Sequence, residues 1–413
     1  MTKTKSFEIP KRLVWQSWLQ VKANKGSAGV DKVSIEDYEK NLSNNLYRLW
    51  NRLSSGSYFP SPVRLVEIPK ASGGVRALGI PTVEDRIAQG VLVAALEAEL
   101  ELLFHSDSYG FRPGRSAHDA LETTRIRCLQ RPWVIDLDIE KFFDTVDHDL
   151  LLRAVKKHQT ANWMALYTQR WLQVPAVDGK GQTITRDRGT PQGGVASPLL
   201  ANLFLHYVFD VWMDKHFPMI KFERYVDDII MHCFTKRQAE YTLDSVSRRF
   251  AECGLSIHPL KTKLVYCKKE GRYDRYADHS FDFLGYTFRP RMGPSTRQDV
   301  FYLGFTPAIS RKSRTKIIRT VKSWKLGSCV SLTIYDLAER MDRIVRGWFV
   351  YYGKFYPSLC LQAFAVLNFS LIKWLMRKFK RYRGHKTRAA KALKAIYQRE
   401  PNLFYHWSIG VIP

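Results

Sequence analysis

Two carboxylates stand side by side in segment 222–232, which reads FERYVDDIIMH. Apolar residues flank Asp227 and Asp228 on both sides, a pattern typical of a turn that leaves a buried strand. An exposed acidic turn is the simplest explanation. However, adjacent anions beside a core sheet are unfavourable unless a counter-charge compensates them. Mg²⁺ prefers carboxylate oxygen atoms and usually takes one or two of them from a protein, so the pair indicates a magnesium site.

A second acidic strand end lies 89 positions earlier. Asp138 follows a strand-like apolar run in the segment DLDIEKFFDTVDH. Two Mg²⁺ ions about 3.5–4 Å apart can activate an attacking oxygen atom and stabilise a leaving one during phosphoryl transfer. Spacing along the chain does not show that Asp138 and Asp227 converge. The residues alone therefore indicate a metal-dependent enzyme that acts on nucleotides or nucleic acids.

Strand and helix patterns alternate around these carboxylates. Strands are predicted for the two arms of a hairpin over 58–80, for 133–139, on both sides of the turn Asp178-Gly179, for the two arms around the Asp pair, near 255–266 and over 281–288. Helices are predicted within 1–57, including one over 34–54, then at 83–104, after Ser116, at 147–158, from Ser197 as the N-cap, at 236–253 and over almost all of 305–413. Helices mixed with hairpins predict an α+β fold.

The charge of the chain is strongly positive. The 413 residues carry a formal net charge of +26, and the pI is about 9.8. From residue 300 onwards, 22 Lys and Arg against 4 Asp and Glu give a net charge of +18. Aromatic residues are interleaved with these cations, which suits stacking on nucleic-acid bases or the packing of a helical core. This distribution favours a polyanionic partner over a membrane surface, since no helix separates basic from apolar residues.

Composition also disfavours several classes of protein. The most apolar stretch, 359–376, contains polar residues and predicts a buried or amphipathic helix and not a membrane span. The basic N-terminus is not followed by an apolar segment, so we expect no secretion signal. Six scattered cysteines without a CxxC pair favour a reducing compartment and argue against zinc. We therefore expect a cytoplasmic protein without a membrane partner.

Several segments, in order, resemble reverse transcriptases encoded by group II introns and related non-LTR bacterial enzymes. These segments are NKGSAGVD, IPKASGGVRALGIPTVEDRI, YGFRPGRSAHDAL, DLDIEKFFDTVDH, RGTPQGGVASPLLANLFL, RYVDDII, GLSIHPLKTKLVY, FDFLGYTF and RIVRGWFVYYGKF, the last of which resembles the thumb, or maturase X, domain. A lone YVDD would be a weak match, whereas this many blocks in one order are specific. We expect the chain to lack the HNH endonuclease domain, with its cysteine pairs, that many relatives carry.

The resemblance implies a fold and an activity. The fold is a right-hand polymerase: fingers and a palm with an antiparallel sheet, followed by an all-helical thumb. The implied domains are an N-terminal extension over 1–57, fingers and palm over 58–300, and a thumb, or maturase-like X domain, over 301–413. The implied activity is RNA-directed DNA polymerisation, which also copies DNA and extends a primer 3′-hydroxyl with dNTPs. Two Mg²⁺ ions are the implied cofactors, with Mn²⁺ as a substitute.

The resemblance assigns the chemistry to five positions. Asp138 and Asp227 resemble the principal metal ligands, and Asp228 a weaker ligand or a support. Ile139 would lend its backbone carbonyl to a metal ion. Lys261 resembles the lysine that protonates the leaving pyrophosphate; without the resemblance it is a solvated loop residue.

Five further positions resemble a nucleotide-binding site. Lys70 and Arg76 match the fingertip pair that grips the triphosphate, although alone they indicate only a surface hairpin. Gln192 matches the residue that lies against the sugar. Phe143 resembles the steric gate that excludes a 2′-hydroxyl; its alternative role is a core residue. Val226 would face the terminal nucleotide of the primer.

Partners follow from the same resemblance. Arg112 and Arg115 suit phosphate contacts, which position nucleic acid without specifying its sequence. Gly193 and Gly194 would let the backbone approach the template–primer duplex closely. The expected partners are an RNA or DNA template–primer duplex, dNTPs and a cognate intron RNA. The oligomeric state, monomer or homodimer, stays open, and the expected location is the bacterial cytoplasm, at the nucleoid in use.

The biological setting has three candidates. The first is intron mobility and splicing, the second host DNA break repair through short base-paired ends, and the third a splicing maturase with a vestigial polymerase. The intact aspartates, with Lys70, Arg76 and Gln192, argue against the third. Phe143 disfavours an RNA-dependent RNA polymerase. Most group II intron enzymes have Ala where this chain has Val226, and this bulk, which should fix primer placement, favours the repair setting.

Overall fold

The computed structural model describes residues 5–69, 75–272, 274–294 and 301–413. It divides into two compact units. The first contains Met1–Ser116 and Ile135–Thr262, and the second contains Ala117–Val134 and Lys263–Pro413. Each unit combines helices with a sheet, so the predicted α+β class is confirmed. The functional division at residues 57 and 300 stays a prediction.

The helices follow one another along the whole chain. They are α1 (Lys11–Ala23), α2 (Ile35–Glu39), α3 (Leu42–Ser55), α4 (Val83–Leu103), α5 (Ala117–Gln130), α6 (Phe142–Thr145), α7 (His148–His158), α8 (Asn162–Leu172), α9 (Ser197–Leu205), α10 (Val211–His216), α11 (Lys236–Glu252), α12 (Arg311–Ser323), α13 (Ile334–Tyr352), α14 (Pro357–Lys378), α15 (Lys386–Arg399) and α16 (Tyr405–Ser408). A π-helical turn, His206–Asp210, joins α9 to α10, and short 3₁₀ turns cover Leu326–Ser328 and Lys380–Tyr382.

The strands are shorter and lie between these helices. They are β1 (Val63–Pro69), β2 (Val75–Ile80), β3 (Trp133–Asp138), β4 (Ala176–Val177), β5 (Thr183–Ile184), β6 (Lys221–Tyr225), β7 (Asp228–Cys233), β8 (Lys263–Tyr266), β9 (Phe281–Phe283), β10 (Tyr286–Pro294) and β11 (Phe301–Ile309).

In the first unit, two sheets carry the segments singled out from the sequence. Strands β1 and β2 form the predicted antiparallel hairpin, and β1 also pairs in parallel with β4. Strands β6, β7 and β3 lie side by side in that order, with β6 and β7 antiparallel. Helix α1 packs on α4 through the buried residues Val14, Trp18 and Val21. The apolar face that the pattern of residues 1–57 predicts for α1 is therefore buried within this unit.

Local sequence explains where several helices begin. The hydroxyl of Thr82 accepts a hydrogen bond from the Asp85 backbone at the start of α4, and the Asp147 carboxylate accepts one from Leu150 at the start of α7. These are the side chains that satisfy free N–H groups at helix N-termini. The predicted helices at 83–104, 147–158 and 236–253 are confirmed to within one or two residues.

Three local predictions are wrong. The helix over 34–54 is interrupted between α2 and α3, where Asn41 has φ −129°. Ser197 is the first helical residue and not the N-cap, because its hydroxyl donates to the Pro191 carbonyl at 2.8 Å. The chain from residue 305 is not helical until Arg311, because β11 pairs with β10 along its full length.

The second unit has a three-stranded sheet, β9–β10–β11, and a helical core. Helix α14 is long and apolar enough to cross a membrane by length and composition, but half of its apolar window is buried. Its residues Phe364, Leu367 and Leu371 lie in a core shared with α12, α13, α15 and the C-terminal segment. The prediction of a buried or amphipathic helix over this stretch is thus confirmed, and α14 packs at the centre of the helical core of this unit.

Candidate active site

The acidic segment forms a two-residue hairpin turn. Strands β6 and β7 pair up to Tyr225 and Asp228, so the turn consists of Val226 and Asp227. The prediction that the two aspartates form the turn is therefore corrected: Asp228 is the first residue of β7. Val226 has φ +61°, while Asp227 has no positive φ. A turn with positive φ only at its first central residue usually carries Gly there, so a β-branched residue at this position is strained.

Asp138 lies at the end of β3, the strand beside β7. Burial raises the pKa of Asp227 above the ordinary value for Asp, and the negative charge of Asp138 raises it further. The Asp227 backbone amide and the cations Arg76 and Lys261 act in the opposite direction. An electrostatic interaction of this kind requires the two carboxylates to be close together. The structure therefore brings together residues 89 positions apart that the spacing alone could not connect.

Segment 256–262 holds the end of β3 in place. The His258 amide donates to the Asp138 carbonyl at 2.8 Å, and the Asp138 amide donates to the Thr262 hydroxyl at 3.3 Å. The Lys261 ammonium lies 3.0 Å from the Asp138 carboxylate. Both side chains are substantially exposed, so this ion pair contributes little to stability. Lys261 is thus free to serve a reacting group.

Ile139 is buried, and its backbone faces the same segment through an isolated bridge with Ile257. The two hydrogen bonds of this bridge use the Asp138 carbonyl and the Glu140 amide, which donates to Ser256 at 2.8 Å. The Ile139 carbonyl takes part in neither. Its position next to Asp138 is compatible with the predicted role as a backbone ligand, which stays a prediction.

The donor set fits a hard cation that also binds substrate. Among the residues that the structure describes, no group of three or more His, Cys, Asp and Glu side chains could hold a metal ion by itself. Asp138 and Asp227 supply two carboxylates, and burial of Asp227 leaves its charge under-compensated. Mg²⁺ usually binds through one or two carboxylates plus phosphate oxygen atoms and water. Such an ion would be held fully only with a nucleotide present.

The β1–β2 hairpin brings a cation to this site. Arg76 is exposed on β2, opposite Ile68, and its charge lowers the pKa of Asp227. The positive charge of Arg76 therefore lies near enough to influence the acidic site, which is compatible with the predicted contact with a triphosphate. Lys70 and the turn Gly73-Gly74 lie outside the described residues, so the expected partner of Arg76 stays a prediction.

Phe143 is hydrogen-bonded to the loop that contains the PQGG segment, residues 191–194. Its neighbour Phe142 is only 1% exposed, whereas Phe143 is partly exposed. The Thr190 amide donates to the Phe143 carbonyl at 2.7 Å, and the Gly79 amide of β2 donates to the Gln192 carbonyl at 2.7 Å. The loop thus links both predicted nucleotide-binding residues to β2. Of these two adjacent phenylalanines, Phe143 has the ring that a nucleotide could reach, and Phe142 does not.

Contacts within the protein explain why both of these loop positions carry glycine. A Cβ at Gly193, whose φ is +117°, would lie 2.6 Å from the Gly79 carbonyl oxygen. A Cβ at Gly194 would lie 2.7 Å from the Ser197 hydroxyl. Contacts within the protein therefore already disfavour a side chain at both positions, and the expected close approach of a duplex stays a prediction. Gly194 is also buried, while Gly193 is exposed and still open to nucleic acid.

Arg112 does not have the predicted environment. It is 7% exposed, and each of its three guanidinium nitrogen atoms donates to a protein acceptor. The acceptors are Glu101 and the carbonyls of His105 and Ser108. Its predicted phosphate contact is corrected to a structural role, because a buried and satisfied guanidinium has no donor left for a ligand. Arg115 is exposed beside the Tyr109 ring and fits a phosphate contact.

Sequence reasoning overlooked Arg224. It is fully buried next to the acidic turn and pairs with Asp210 at 2.6 Å. The available signal was weak, because Arg224 is one of three charged residues in β6, KFERY, and only its position three residues before Asp227 distinguishes it.

The family of this chain is evident from its sequence. The family described as reverse transcriptase (RNA-dependent DNA polymerase) matches residues 68–288, which is more than half of the chain and includes both acidic strand ends. The chain belongs to the reverse transcriptase family. This reverse transcriptase accordingly has the right-hand polymerase fold, as predicted. A second family, the group II intron maturase-specific domain, matches residues 314–392 in the helical C-terminal region. The predicted group II intron type with a maturase domain is therefore confirmed.

Individual proteins resemble this chain over different shares of its length. The reverse transcriptase is 34% identical to protein YkfC of Escherichia coli over 60% of this chain and 61% of that protein. It is 34% identical to the group II intron-encoded protein LtrA of Lactococcus lactis over 45% of this chain and 31% of that protein. It thus spans less than two thirds of the length of these relatives. Telomerase from Candida albicans matches 91% of this chain and 67% of its own, with a TM-score of 0.45 and 11% identity.

Proposed function

We propose that this reverse transcriptase is an active RNA-directed DNA polymerase that extends a primer 3′-hydroxyl with dNTPs by two-metal phosphoryl transfer. The observation that supports the proposal most strongly is the interaction of Asp138 with Asp227 at two neighbouring strand ends. Arg76 and the accessible Phe143 lie around the same site, where a nucleotide would need them.

Each residue has a definite task in this proposal. Asp138 and Asp227 would hold Mg²⁺, which would supply activation of the primer hydroxyl and stabilisation of the leaving oxygen. Arg76 neutralises charge on the triphosphate. Lys261, held 3.0 Å from Asp138, can release this ion pair and deliver a proton to the leaving pyrophosphate. Phe143 excludes the 2′-hydroxyl of a ribonucleotide by its bulk.

Primer extension tests the proposal directly. The purified chain, a DNA primer on an RNA template, dNTPs and Mg²⁺ should yield extended primer, and a chelator in excess over Mg²⁺ should stop extension completely. A DNA template of the same sequence should also be copied. Extension in excess chelator, or none with Mg²⁺ and a folded protein, would contradict the proposal.

A second candidate function, intron RNA binding in aid of splicing and mobility, is supported by the maturase-specific match at 314–392. The relative LtrA is itself named as encoded by a group II intron. Host DNA break repair through short base-paired ends is the alternative setting. Intron RNA domains flanking the reading frame, or their absence, would discriminate between the two settings.

Salt dependence should locate the duplex-binding surface. Helix α15 buries Ala389 and Leu393 and exposes Arg388, Lys391 and Lys394 on its other face. Changing these three cations to Gln should lower the slope of log affinity against log salt by about 0.9 for each phosphate that the helix no longer neutralises. Duplex binding measured between about 50 and 200 mM salt would show this change.

The matched control for this experiment is on α11. Lys236, Arg237 and Arg248 are equally exposed cations of the first unit. Their replacement by Gln should change the slope less than the α15 variant does. An unchanged slope in the α15 variant would exclude this face of the helix as a duplex contact.

A further inference from the structure

The strained turn of the active site needs support from outside the hairpin. Val226 has φ +61°, a conformation that a β-branched residue adopts only when its surroundings impose it. Its side chain is 4% exposed and lies against Gly110, where a Cβ would come within 2.7 Å of a Val226 methyl group. The expected contact of this side chain with a primer is therefore corrected to a contact with Gly110. Asp227 directly follows Val226 in the chain. Contacts that fix the backbone of Val226 therefore also determine the position of the Asp227 carboxylate, the proposed metal ligand.

Arg224 is the residue that reaches the turn from the buried side. Its Nη1 donates to the Val226 carbonyl at 3.3 Å and to the Asn202 side-chain oxygen at 2.9 Å. Its Nε and Nη2 donate to the two carboxylate oxygens of Asp210 at 2.7 and 2.6 Å. Arg224 and Asp210 are both fully buried. The planar guanidinium is thus fixed by a bidentate pair, and its remaining nitrogen is aimed at the turn.

The same network fixes the loop that contacts Val226. The Asn202 amide donates to the Gly110 carbonyl at 2.7 Å. The Arg224 backbone pairs with this loop on both sides, donating to Asp107 at 2.9 Å and accepting from Tyr109 at 2.8 Å. Arg224 therefore contacts the turn directly, through the Val226 carbonyl, and also holds the loop that packs against the Val226 side chain. Asp210 is the last residue of the π-helical turn, a local irregularity that is frequent at functional sites.

We infer that Arg224, held by Asp210 and Asn202, is a positioning residue that orients Asp227 for metal binding by fixing the strained Val226 turn. The inference rests on the proposed polymerase function. A purely structural ion pair would stabilise the fold without affecting metal affinity. A positioning role predicts instead that the Mg²⁺ dependence and kcat change together, while duplex affinity, which depends on other residues, does not.

The test uses the full chain in the primer-extension assay, with Mg²⁺ titrated at saturating dNTP. Arg224→Lys keeps the charge but cannot make the bidentate pair and the contact with Val226 together. A misplacement of about 1 Å can reduce a rate on the order of a hundredfold. We expect a decrease in kcat of roughly this size and a several-fold higher Mg²⁺ concentration at half-maximal activity, with duplex affinity, measured by filter binding, within about twofold.

Arg112→Lys is the matched control. Arg112 is likewise buried and paired with a carboxylate, and it supports the same loop without contacting the turn. It should lower Tm but leave the Mg²⁺ midpoint unchanged. If Arg224→Lys behaves in the same way, the inference is overturned. If the parental chain does not extend primers at all, the proposed function fails, which is a separate outcome.

Two further variants keep the test decisive even if Arg224→Lys folds poorly. Asn202→Ser leaves the ion pair intact and should raise the Mg²⁺ midpoint in the same direction by a smaller factor; a parental midpoint would overturn the inference. Val226→Gly removes the strain, since Gly adopts positive φ readily. In the Arg224→Lys background it should restore about tenfold in kcat relative to Arg224→Lys alone. No recovery would show that Arg224 does not act through the turn.

Discussion

Asp227→Ala and Asp138→Ala should each reduce primer extension roughly a thousandfold or more, because a metal ion contributes several kcal/mol to the transition state of phosphoryl transfer. Both carboxylates lie at strand ends beside each other, and each variant removes one of the two charges that would hold the ion. Template–primer affinity should stay within about twofold, because phosphate contacts by cations elsewhere dominate that affinity. Single-turnover extension and filter binding would measure the two quantities.

Thermal stability separates this effect from misfolding. Burial raises the pKa of Asp227, so its charged form is disfavoured in the folded chain. Its replacement by Ala should leave Tm unchanged or slightly higher. The control Asp244→Asn removes an exposed carboxylate of α11, paired with Arg248, and should have parental activity. Extension by the Asp227 variant near the parental rate would show that the metal-site assignment is wrong.

Phe143→Ala should increase ribonucleotide incorporation relative to deoxyribonucleotide incorporation on the order of a hundredfold, the scale on which a shaped pocket distinguishes substrates that differ by one hydroxyl. The ring is partly exposed, and its backbone is fixed by the hydrogen bond from Thr190. The hydrogen bond fixes where the side chain leaves the backbone, and the bulk of the ring then occupies the space that a 2′-hydroxyl would need. The ratio of kcat/KM for each dNTP and its rNTP is the measurement.

Two controls make this second prediction specific. Phe143→Leu keeps much of the bulk and should retain most of the discrimination. Phe234→Ala truncates another exposed phenylalanine, after β7, and should leave the ratio unchanged. Equal discrimination by Phe143→Ala and the parental chain would mean that a different side chain is the gate.

Much of the fold could be predicted from the sequence because it depends on local pattern. Apolar periodicity and capping residues such as Thr82 and Asp147 are local, and the corresponding helices lie where they were expected. The acidic strand ends were recognisable for a similar reason: carboxylates inside apolar runs, in segments whose order resembles one family, are visible without coordinates. The match over residues 68–288 confirms that family.

The roles of two arginines could not be predicted in the same way. Arg112 and Arg224 both occur beside motif residues, and Arg112 was expected to contact phosphate. What decides their roles is the set of acceptors around each guanidinium: Glu101 and two carbonyls for Arg112, and Asp210 with Asn202 for Arg224. Those acceptors are brought together by tertiary packing, and a buried, satisfied guanidinium cannot also bind a ligand.

The sequence by itself determined the family, the acidic residues and most of the helices, since these depend on residue type and local periodicity. Only the tertiary structure decided that β11 replaces the start of a predicted helix, that Val226 and not Asp228 occupies the turn, and that the strand ending at Asp138 lies beside the strand that follows Asp227. The physical reason is common to all three. Strand register, backbone strain and electrostatic proximity depend on residues that are distant in the chain. The local sequence pattern does not identify those residues.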